Sequence, residues 1–211
     1  MRQLNEVINC YGLTAEEYAK AFYNELAHKP FDRLMLERFA AENKTKGTIA
    51  DLGCGCGHMT NFLSGLGAKD LIGIDLSPEM VEVASRLNQN IAFEVGNMLN
   101  LNKRDEEFGA VLAFYAIVHF DYEEVEKAFA EIYRVLKPAG QFLFSFHVGN
   151  EKNELNEFLS QKVKISFYFF DVDKILKIVE KTGFGIIDAI VRYPYRDKEY
   201  PSKRAYILAE K

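Results

Sequence analysis

Three glycines at alternate positions, Gly53, Gly55 and Gly57, follow a short apolar run, and Asp51 stands two residues before the first of them. Glycine allows a tight turn to take positive φ, and its missing Cβ lets a ligand approach the backbone closely. A buried strand followed by a Gly-rich turn and the start of a helix is typical of a nucleotide-cofactor site. The stretch 49–58 therefore predicts a nucleotide-shaped ligand lying over the turn.

The spacing of the glycines separates two kinds of cofactor. A dinucleotide fingerprint needs its third glycine where this chain has His58, and it needs no acid just before the first glycine. A pyrophosphate favours the positive end of a helix, whereas an amino acid with an ammonium and a sulfonium favours a carboxylate. Asp51 fits the sulfonium ligand, and a nicotinamide oxidoreductase stays as the first alternative.

The order Asp51-x-Gly53-x-Gly55-x-Gly57 closely resembles the first motif of class I S-adenosylmethionine-dependent methyltransferases. The similarity is to the small-molecule type that includes the ubiquinone and menaquinone biosynthesis methyltransferases. It implies S-adenosyl-L-methionine as cofactor, with Asp51, Gly53, Cys54 and Gly55 at its methionine end. The segment 131–140 also resembles the family's passage of helix, Leu-Lys-Pro-Gly-Gly and strand, with Ala139 in place of the first glycine and a slightly tighter turn expected.

An acid ends the second predicted strand, over 71–75, about 20 residues beyond the glycine turn. A carboxylate at that tip of a doubly wound sheet can accept hydrogen bonds from both ribose hydroxyls. We therefore predict that Asp75, with its neighbour Leu76, binds the adenosine. The alternative is an acid that merely flanks a helix, because Ser77 is a capping residue and Pro78 a helix-starting one.

The third predicted strand, over 91–95, is followed by Gly96, Asn97 and Met98. The resemblance implies an acid here that binds the adenine amino group, next to an apolar residue against the ring. Asn97 replaces the acid, and its amide oxygen is a weaker, neutral acceptor. We predict Asn97 and Met98 at the adenine.

The fourth predicted strand, 107–114, is almost wholly apolar, as a central parallel strand is. Ligands bind beyond the carboxyl ends of such strands, which places Phe114, Tyr115 and His119 at the mouth of the site. His147 ends the fifth predicted strand, over 141–147. We predict that His119 and His147 accept or orient the proton of a methyl acceptor, although bonding of each histidine to nearby backbone is an equal alternative.

Two helices precede the glycine turn in our prediction. Thr14 is a capping residue for the first, Pro30 ends it, and the second covers about 31–41. The resemblance implies that such a leader covers the cofactor, so Tyr11 and Tyr18 are expected to line the site and, with Tyr115, to exclude water. Packing in the core is the alternative for both leader tyrosines.

The predicted fold is α/β: a Rossmann-like doubly wound sheet of seven strands, mostly parallel, with an antiparallel last strand at the edge. We expect one methyltransferase domain over 1–211. It divides into an N-terminal helical cap (1–45), a cofactor-binding core (46–148), a lid or insertion (149–171), and a C-terminal helix with an antiparallel strand pair (172–211).

Composition limits the function classes. A net charge of -5 and a pI near 5.5 argue against a nucleic-acid substrate, and the Asn-Pro-Pro-Tyr sequence of base methyltransferases is absent from 113–116. Cys10, Cys54 and Cys56 suit neither a disulfide framework nor a zinc site, which favours a cytoplasmic location. No run approaches the roughly 20 apolar residues of a membrane span.

The carboxylates near the fourth strand tip, Asp121 and Glu123, form no cluster, so no metal is expected. The predicted partner is a small-molecule methyl acceptor of unknown identity, and the oligomeric state is open. A non-catalytic subunit that binds S-adenosylmethionine is the second alternative to an enzyme.

Overall fold

The computed structural model describes residues 2–211, with side chains from Leu4 onward. The first half of the chain contains α1 (Arg2–Phe22), a 3-10 turn (Glu25–His28), α2 (Pro30–Asn43), β1 (Ile49–Leu52), α3 (His58–Gly65), β2 (Leu71–Asp75), α4 (Pro78–Leu87) and β3 (Ala92–Val95). The second half contains β4 (Phe108–Phe114), a 3-10 turn (Ile117–His119), α5 (Tyr122–Val135), β5 (Leu136–His147), β6 (Lys152–Leu155), β7 (Ile165–Tyr168), α6 (Val172–Lys181), β8 (Gly185–Arg192) and β9 (Arg204–Glu210).

The main sheet has seven strands in the order β3-β2-β1-β4-β5-β9-β8. The first five strands in this order are parallel to one another. Strand β9 is antiparallel to both β5 and β8. The predicted doubly wound, mostly parallel sheet is confirmed. The last strand of the chain is the antiparallel one, but it is sixth in the order: β8 takes the edge, because the hairpin returns β9 between β8 and β5.

Strand β4 lies at the centre of the sheet, and all seven of its residues are buried. Apolar clusters cover both faces of the sheet, one with α5 and α6 and the other with α2 and α3. This two-sided burial explains why β4 and the middle of β5 read as continuous apolar runs rather than alternating ones.

The N-terminal helix begins earlier than predicted. Thr14 is not a capping residue: it lies inside α1, and its hydroxyl donates to the carbonyl of Cys10 at 2.8 Å. Tertiary packing decides this, because Cys10 packs against Val163 and Ile165 from the lid region. Pro30 stands at the first position of α2, but α1 already ends at Phe22.

The lid region and the turn at Ala139 show details beyond the prediction. The expected lid or insertion contains a two-stranded antiparallel hairpin, β6 with β7. Ala139 lies within β5 at φ +58°, a conformation that favours glycine. The replaced glycine therefore leaves a strained residue rather than a merely tighter turn, and the Ala139 amide donates to the carbonyl of Lys211 at 2.9 Å.

Candidate active site

A cavity opens at the carboxyl ends of β1, β2 and β4, beneath α1, with a volume of about 1010 Å³ including its mouth. Sites in open α/β sheets lie in this position. Every predicted site residue except His147 lines it, namely Tyr11, Tyr18, Asp51, Gly53, Cys54, Gly55, Asp75, Leu76, Asn97, Met98, Phe114, Tyr115 and His119. Positions up to 108 residues apart, such as Tyr11 and His119, therefore meet around one space.

The glycine turn forms one wall of the cavity. Gly53, Gly55 and Gly57 have φ values of +70°, +54° and +79°, which side chains rarely adopt. A Cβ on Gly53 would lie 2.5 Å from the Cβ of Ala116. The protein's own packing and the positive φ therefore require glycine at Gly53, and the backbone of the turn borders the cavity directly.

Asp75 is held at the tip of β2 by backbone donors. Its Oδ2 accepts from the Gly55 amide at 2.8 Å, and its Oδ1 accepts from the Ser77 amide at 2.9 Å. Burial raises the pKa of Asp75, although these amide hydrogen bonds lower it. Each carboxylate oxygen keeps further lone pairs, so the residue can accept hydroxyl donors from the cavity side. Ser77 performs the capping of α4 through its own hydroxyl.

Asp51 lies deeper than Asp75 and is 2% exposed. Its Oδ2 accepts a hydrogen bond from the Thr60 hydroxyl at 2.6 Å. Burial raises the pKa of Asp51 to about 6, against the lowering effect of Thr60. An ammonium beside this carboxylate would restore its ionised form, which fits the predicted binding of the cofactor's amino-acid end.

The sequence analysis missed an ion pair beside Asp51. His58 Nε2 lies 3.2 Å from Glu25 Oε1, and Lys29 Nζ lies 2.7 Å from Glu25 Oε2. Burial alone would raise the pKa of Glu25, but His58 and Lys29 lower it to about 2. Burial would likewise lower the pKa of His58, but Cys56 and Glu25 raise it to about 10.

Both Glu25 and His58 line the cavity, so the wall carries an ionised carboxylate and an imidazolium that belong to no motif. The 3-10 turn that presents Glu25 has no sequence signature, and the two residues are 33 positions apart. The sequence placed His58 directly after the glycine turn, but nothing in it linked His58 to Glu25.

The predicted adenine end follows β3. Asn97 Oδ1 accepts from the backbone amide of Leu99 at 2.9 Å, which fixes the side-chain amide in its turn. Its oxygen retains a second lone pair. Met98 is 8% exposed and lies with Leu76 in the cavity wall, so an apolar surface adjoins one amide group.

His119 lines the same cavity from the 3-10 turn after β4. Its Nδ1 is 2.8 Å from the carbonyl oxygen of Ser166 in β7, and its Nε2 is 2.8 Å from the hydroxyl of Tyr11. Burial lowers the pKa of His119 to about 4. The imidazole is therefore neutral at physiological pH, and it joins α1, the lid hairpin and the cavity.

Tyr115 and His147 lie side by side, but only Tyr115 lines the cavity. Their rings are 5.2 Å apart, and Tyr115 has φ +52°, an uncommon value for a bulky side chain. His147 Nδ1 lies 2.7 Å from the Ser202 hydroxyl, and burial together with the charge of Arg204 lowers the His147 pKa to about 4. His147 thus lies behind Tyr115, outside the cavity wall.

Comparison with known proteins agrees with this geometry. Residues 49–140 match a family model described as a methyltransferase domain. An uncharacterized methyltransferase, YcgJ of Bacillus subtilis, is 36% identical over 125 residues, covering 57% of this chain and 48% of that protein. Human probable tRNA methyltransferase 9B is 32% identical over 148 residues, covering 70% of this chain and 30% of that protein. The chain thus spans half or less of the length of these two relatives.

A solved structure extends the likeness of fold to the whole chain. The magnesium protoporphyrin IX methyltransferase of Synechocystis, solved with bound S-adenosylmethionine, has a TM-score of 0.75 at 16% identity. The alignment covers 100% of this chain and 98% of that one.

Residues 49–140 carry a methyltransferase domain. This confirms the resemblance drawn from the glycine turn and its preceding acid, and S-adenosyl-L-methionine is the cofactor of the class. The described residues fit that cofactor. The cavity is lined by the backbone of a glycine turn and by two carboxylates, Asp75 and Asp51. Among residues 2–211, no helix is long and apolar enough to cross a membrane.

Proposed function

We propose that this chain transfers a methyl group from S-adenosylmethionine to a small-molecule acceptor. The observation that carries the proposal is the cavity, in which the glycine turn and Asp75 share one space with His119 and Tyr115. Side chains proposed to bind the cofactor and side chains proposed to face the acceptor thus border one space, which supports transfer between the two ligands. Effective catalysis of a displacement reaction requires this positioning above all.

Each end of the cavity has a proposed role. Asp75 accepts the ribose hydroxyls, while Leu76, Asn97 and Met98 surround the adenine. At the other end, Asp51 and the glycine turn hold the amino-acid group. The bound cofactor supplies an electrophilic methyl group on a sulfonium, and the remaining chemistry is performed by this chain's own side chains.

His119 is the proposed proton acceptor. Its Nδ1 faces the Ser166 carbonyl at 2.8 Å, so the hydrogen of a neutral ring stands on Nδ1 and the lone pair on Nε2. Tyr11 now occupies that lone pair. An acceptor hydroxyl or amine that approaches Nε2 beside Tyr11 can pass its proton to this nitrogen.

A small acceptor is favoured over a nucleic acid. The cavity lies under α1, whose Tyr11 and Tyr18 form part of its wall, and the chain has a net charge of -5. A relative named as a probable tRNA methyltransferase makes tRNA a necessary arm of the test. A cytoplasmic location belongs to the same proposal, supported by three cysteines that are buried and free.

The experiment has two stages. A thermal-shift measurement compares S-adenosylhomocysteine with NADH, and only the first should raise the melting temperature. Purified protein is then incubated with S-adenosylmethionine and either a metabolite panel or total tRNA, and S-adenosylhomocysteine release is measured. Release with metabolites but not tRNA is expected. Binding without any release would favour a non-catalytic subunit, and release with tRNA alone would overturn the small-molecule proposal.

A further inference from the structure

The hydroxyl of Tyr115 belongs to a buried chain of hydrogen bonds that crosses from the cavity wall into the protein. It lies 3.0 Å from the hydroxyl of Tyr206, which donates to Asp32 Oδ1 at 2.6 Å. Tyr206 and Asp32 are both 0% exposed. The hydrogens in this chain of bonds follow from the protein groups that it joins.

The positions of the hydrogens follow from counting. A phenol has one hydrogen and two acceptor lone pairs. Tyr206 gives its hydrogen to Asp32 and accepts one from Arg192 Nε at 3.0 Å. Its other lone pair must therefore accept the hydrogen of Tyr115. Toward any other partner, the Tyr115 oxygen can only accept.

The hydrogen of the Tyr11 hydroxyl is also committed, through a separate set of hydrogen bonds. The Ser166 carbonyl can only accept, so Nδ1 of His119 carries the hydrogen and Nε2 of the neutral ring accepts from the Tyr11 hydroxyl. Burial raises the pKa values of Tyr11 and Tyr115 well above the ordinary one, which keeps both phenols protonated. Two tyrosines that line the cavity have thus committed their hydrogens elsewhere.

We propose that this commitment selects the chemical class of the methyl acceptor: a nucleophile that carries a hydrogen-bond donor, a hydroxyl or an amine, rather than a carboxylate. The inference rests on the proposed function and deepens it. A hydroxyl or amine donates to the tyrosine oxygens, while a carboxylate meets only their lone pairs and would be left without partners there. A buried polar group without a partner costs binding strength.

The charges nearby act in the same direction. Glu25 and Asp51 both line the cavity, and Glu25 is held ionised by His58 and Lys29. A site that must also hold an anionic acceptor would gain from an unpaired cation. Lys29 instead bonds Glu25 at 2.7 Å and stands over the Tyr115 ring, 5.3 Å from its centroid.

The test uses the full chain saturated with S-adenosylhomocysteine and matched probes on three aryl skeletons: benzyl, phenethyl and naphthylmethyl. Each skeleton is offered as the alcohol, the amine and the carboxylate, and affinity is measured by saturation-transfer NMR titration. Alcohols and amines should bind at least tenfold more tightly than their carboxylates. Carboxylates that bind equally or better, or a set in which no alcohol or amine binds, would overturn the inference.

Tyr206→Phe sharpens the test because it frees the Tyr115 hydrogen without changing ring size. Carboxylate affinity should rise at least fivefold while alcohol affinity falls. If that variant does not fold, Tyr115→Phe removes the accepting oxygen and should reduce the alcohol preference at least threefold. Tyr122→Phe is the matched control, since its hydroxyl accepts from the Asp171 amide at 3.1 Å and does not line the cavity; it should keep the wild-type order.

The two proposals fail differently. Protein that binds no S-adenosylhomocysteine contradicts the proposed methyltransferase function. Protein that binds it, yet prefers carboxylates or responds to neither Tyr206→Phe nor Tyr115→Phe, contradicts only the acceptor class.

Discussion

The hydroxyl of Tyr11 lies 2.8 Å from Nε2 of His119, 108 positions further along the chain. The contact joins α1 to the 3-10 turn that follows the central strand. His119 is bonded at its other nitrogen to β7, so one imidazole connects the N-terminal helix, the sheet and the lid hairpin. The cavity is therefore closed by residues that each belong to a separate segment.

Asp75 should dominate cofactor affinity. Asp75→Ala removes both proposed ribose bonds, each worth about 1.5–3 kcal/mol to a charged group, and should weaken S-adenosylhomocysteine binding at least tenfold in isothermal titration. Asp70→Ala is the control, because Asp70 lies at the opposite end of β2 and bonds Thr48 on the exposed surface. Equal affinity of Asp75→Ala and wild type would remove Asp75 from the site.

Gly53 should tolerate no side chain. In Gly53→Ala the new Cβ would lie 2.5 Å from Ala116 at a φ of +70°, which forces the turn into the ligand's space. Cofactor affinity should fall more than tenfold and the melting temperature should decrease. Gly65→Ala is the matched control, since nothing lies within 4 Å of its Cβ and alanine favours its helix. Gly55→Val, with a φ of +54° and Tyr18 3.4 Å from the Cβ, should also lose binding; retention would mean that the cofactor does not cross the turn.

The Glu25–His58 pair should give stability a defined pH window. The Glu25 pKa falls from 4.5 to about 2, so the contribution of Glu25 to stability is present above pH 4.5 and is lost as pH falls toward 2. The His58 pKa rises from 6.5 to about 10, so its contribution is present below pH 6.5 and is lost as pH rises through 10. The melting temperature of wild type minus that of Glu25→Gln should thus be largest between about pH 4.5 and 6.5.

The control for this pair is Glu17→Gln. Glu17 bonds Lys20 on the surface, with 51% of its side chain exposed, and such pairs contribute little. Its melting-temperature difference from wild type should be small at every pH. A Glu25→Gln difference that stays constant between pH 3 and 10 would show that the buried ion pair does not act in stability.

The sequence could predict that the glycine turn, Asp51 and Asp75 border one cavity, because the signals for them are local. Asp51, the glycines and Asp75 fall within 25 residues, and parallel strands place their carboxyl ends at one edge of the sheet. Strand β2 was predicted with its observed ends for the same reason, because its apolar run and its terminal acid are local signals. The fold class follows from the alternation of such units.

The other half depends on contacts that no local pattern encodes. Tyr206 meets Asp32 across 174 positions and Tyr115 across 91, and neither pairing has a motif. Helix α1 was predicted to begin at Thr14 because residues 2–12 show weak periodicity, yet Leu4 and Cys10 are fixed by packing against distant segments. His147 followed the rule for strand tips, but it packs against the Tyr115 ring and does not line the cavity.

His119 should act on the acceptor and not on the cofactor. Its Nε2 carries the lone pair, and burial lowers its pKa to about 4, so it stays a neutral base throughout the physiological range. With an acceptor from the metabolite panel, His119→Ala should reduce turnover at least tenfold while S-adenosylhomocysteine affinity stays within about twofold. Because His119 takes up a proton only near pH 4, activity should be flat from pH 6 to 8 and should fall only toward pH 4. His28→Ala is the control: His28 is exposed in the first 3-10 turn, and its substitution should leave both quantities unchanged.

Tyr11→Phe frees Nε2 while keeping the ring, so it should retain more turnover than His119→Ala. Turnover of His119→Ala equal to wild type would assign His119 to holding the lid hairpin, and positioning of the acceptor alone would then account for methyl transfer.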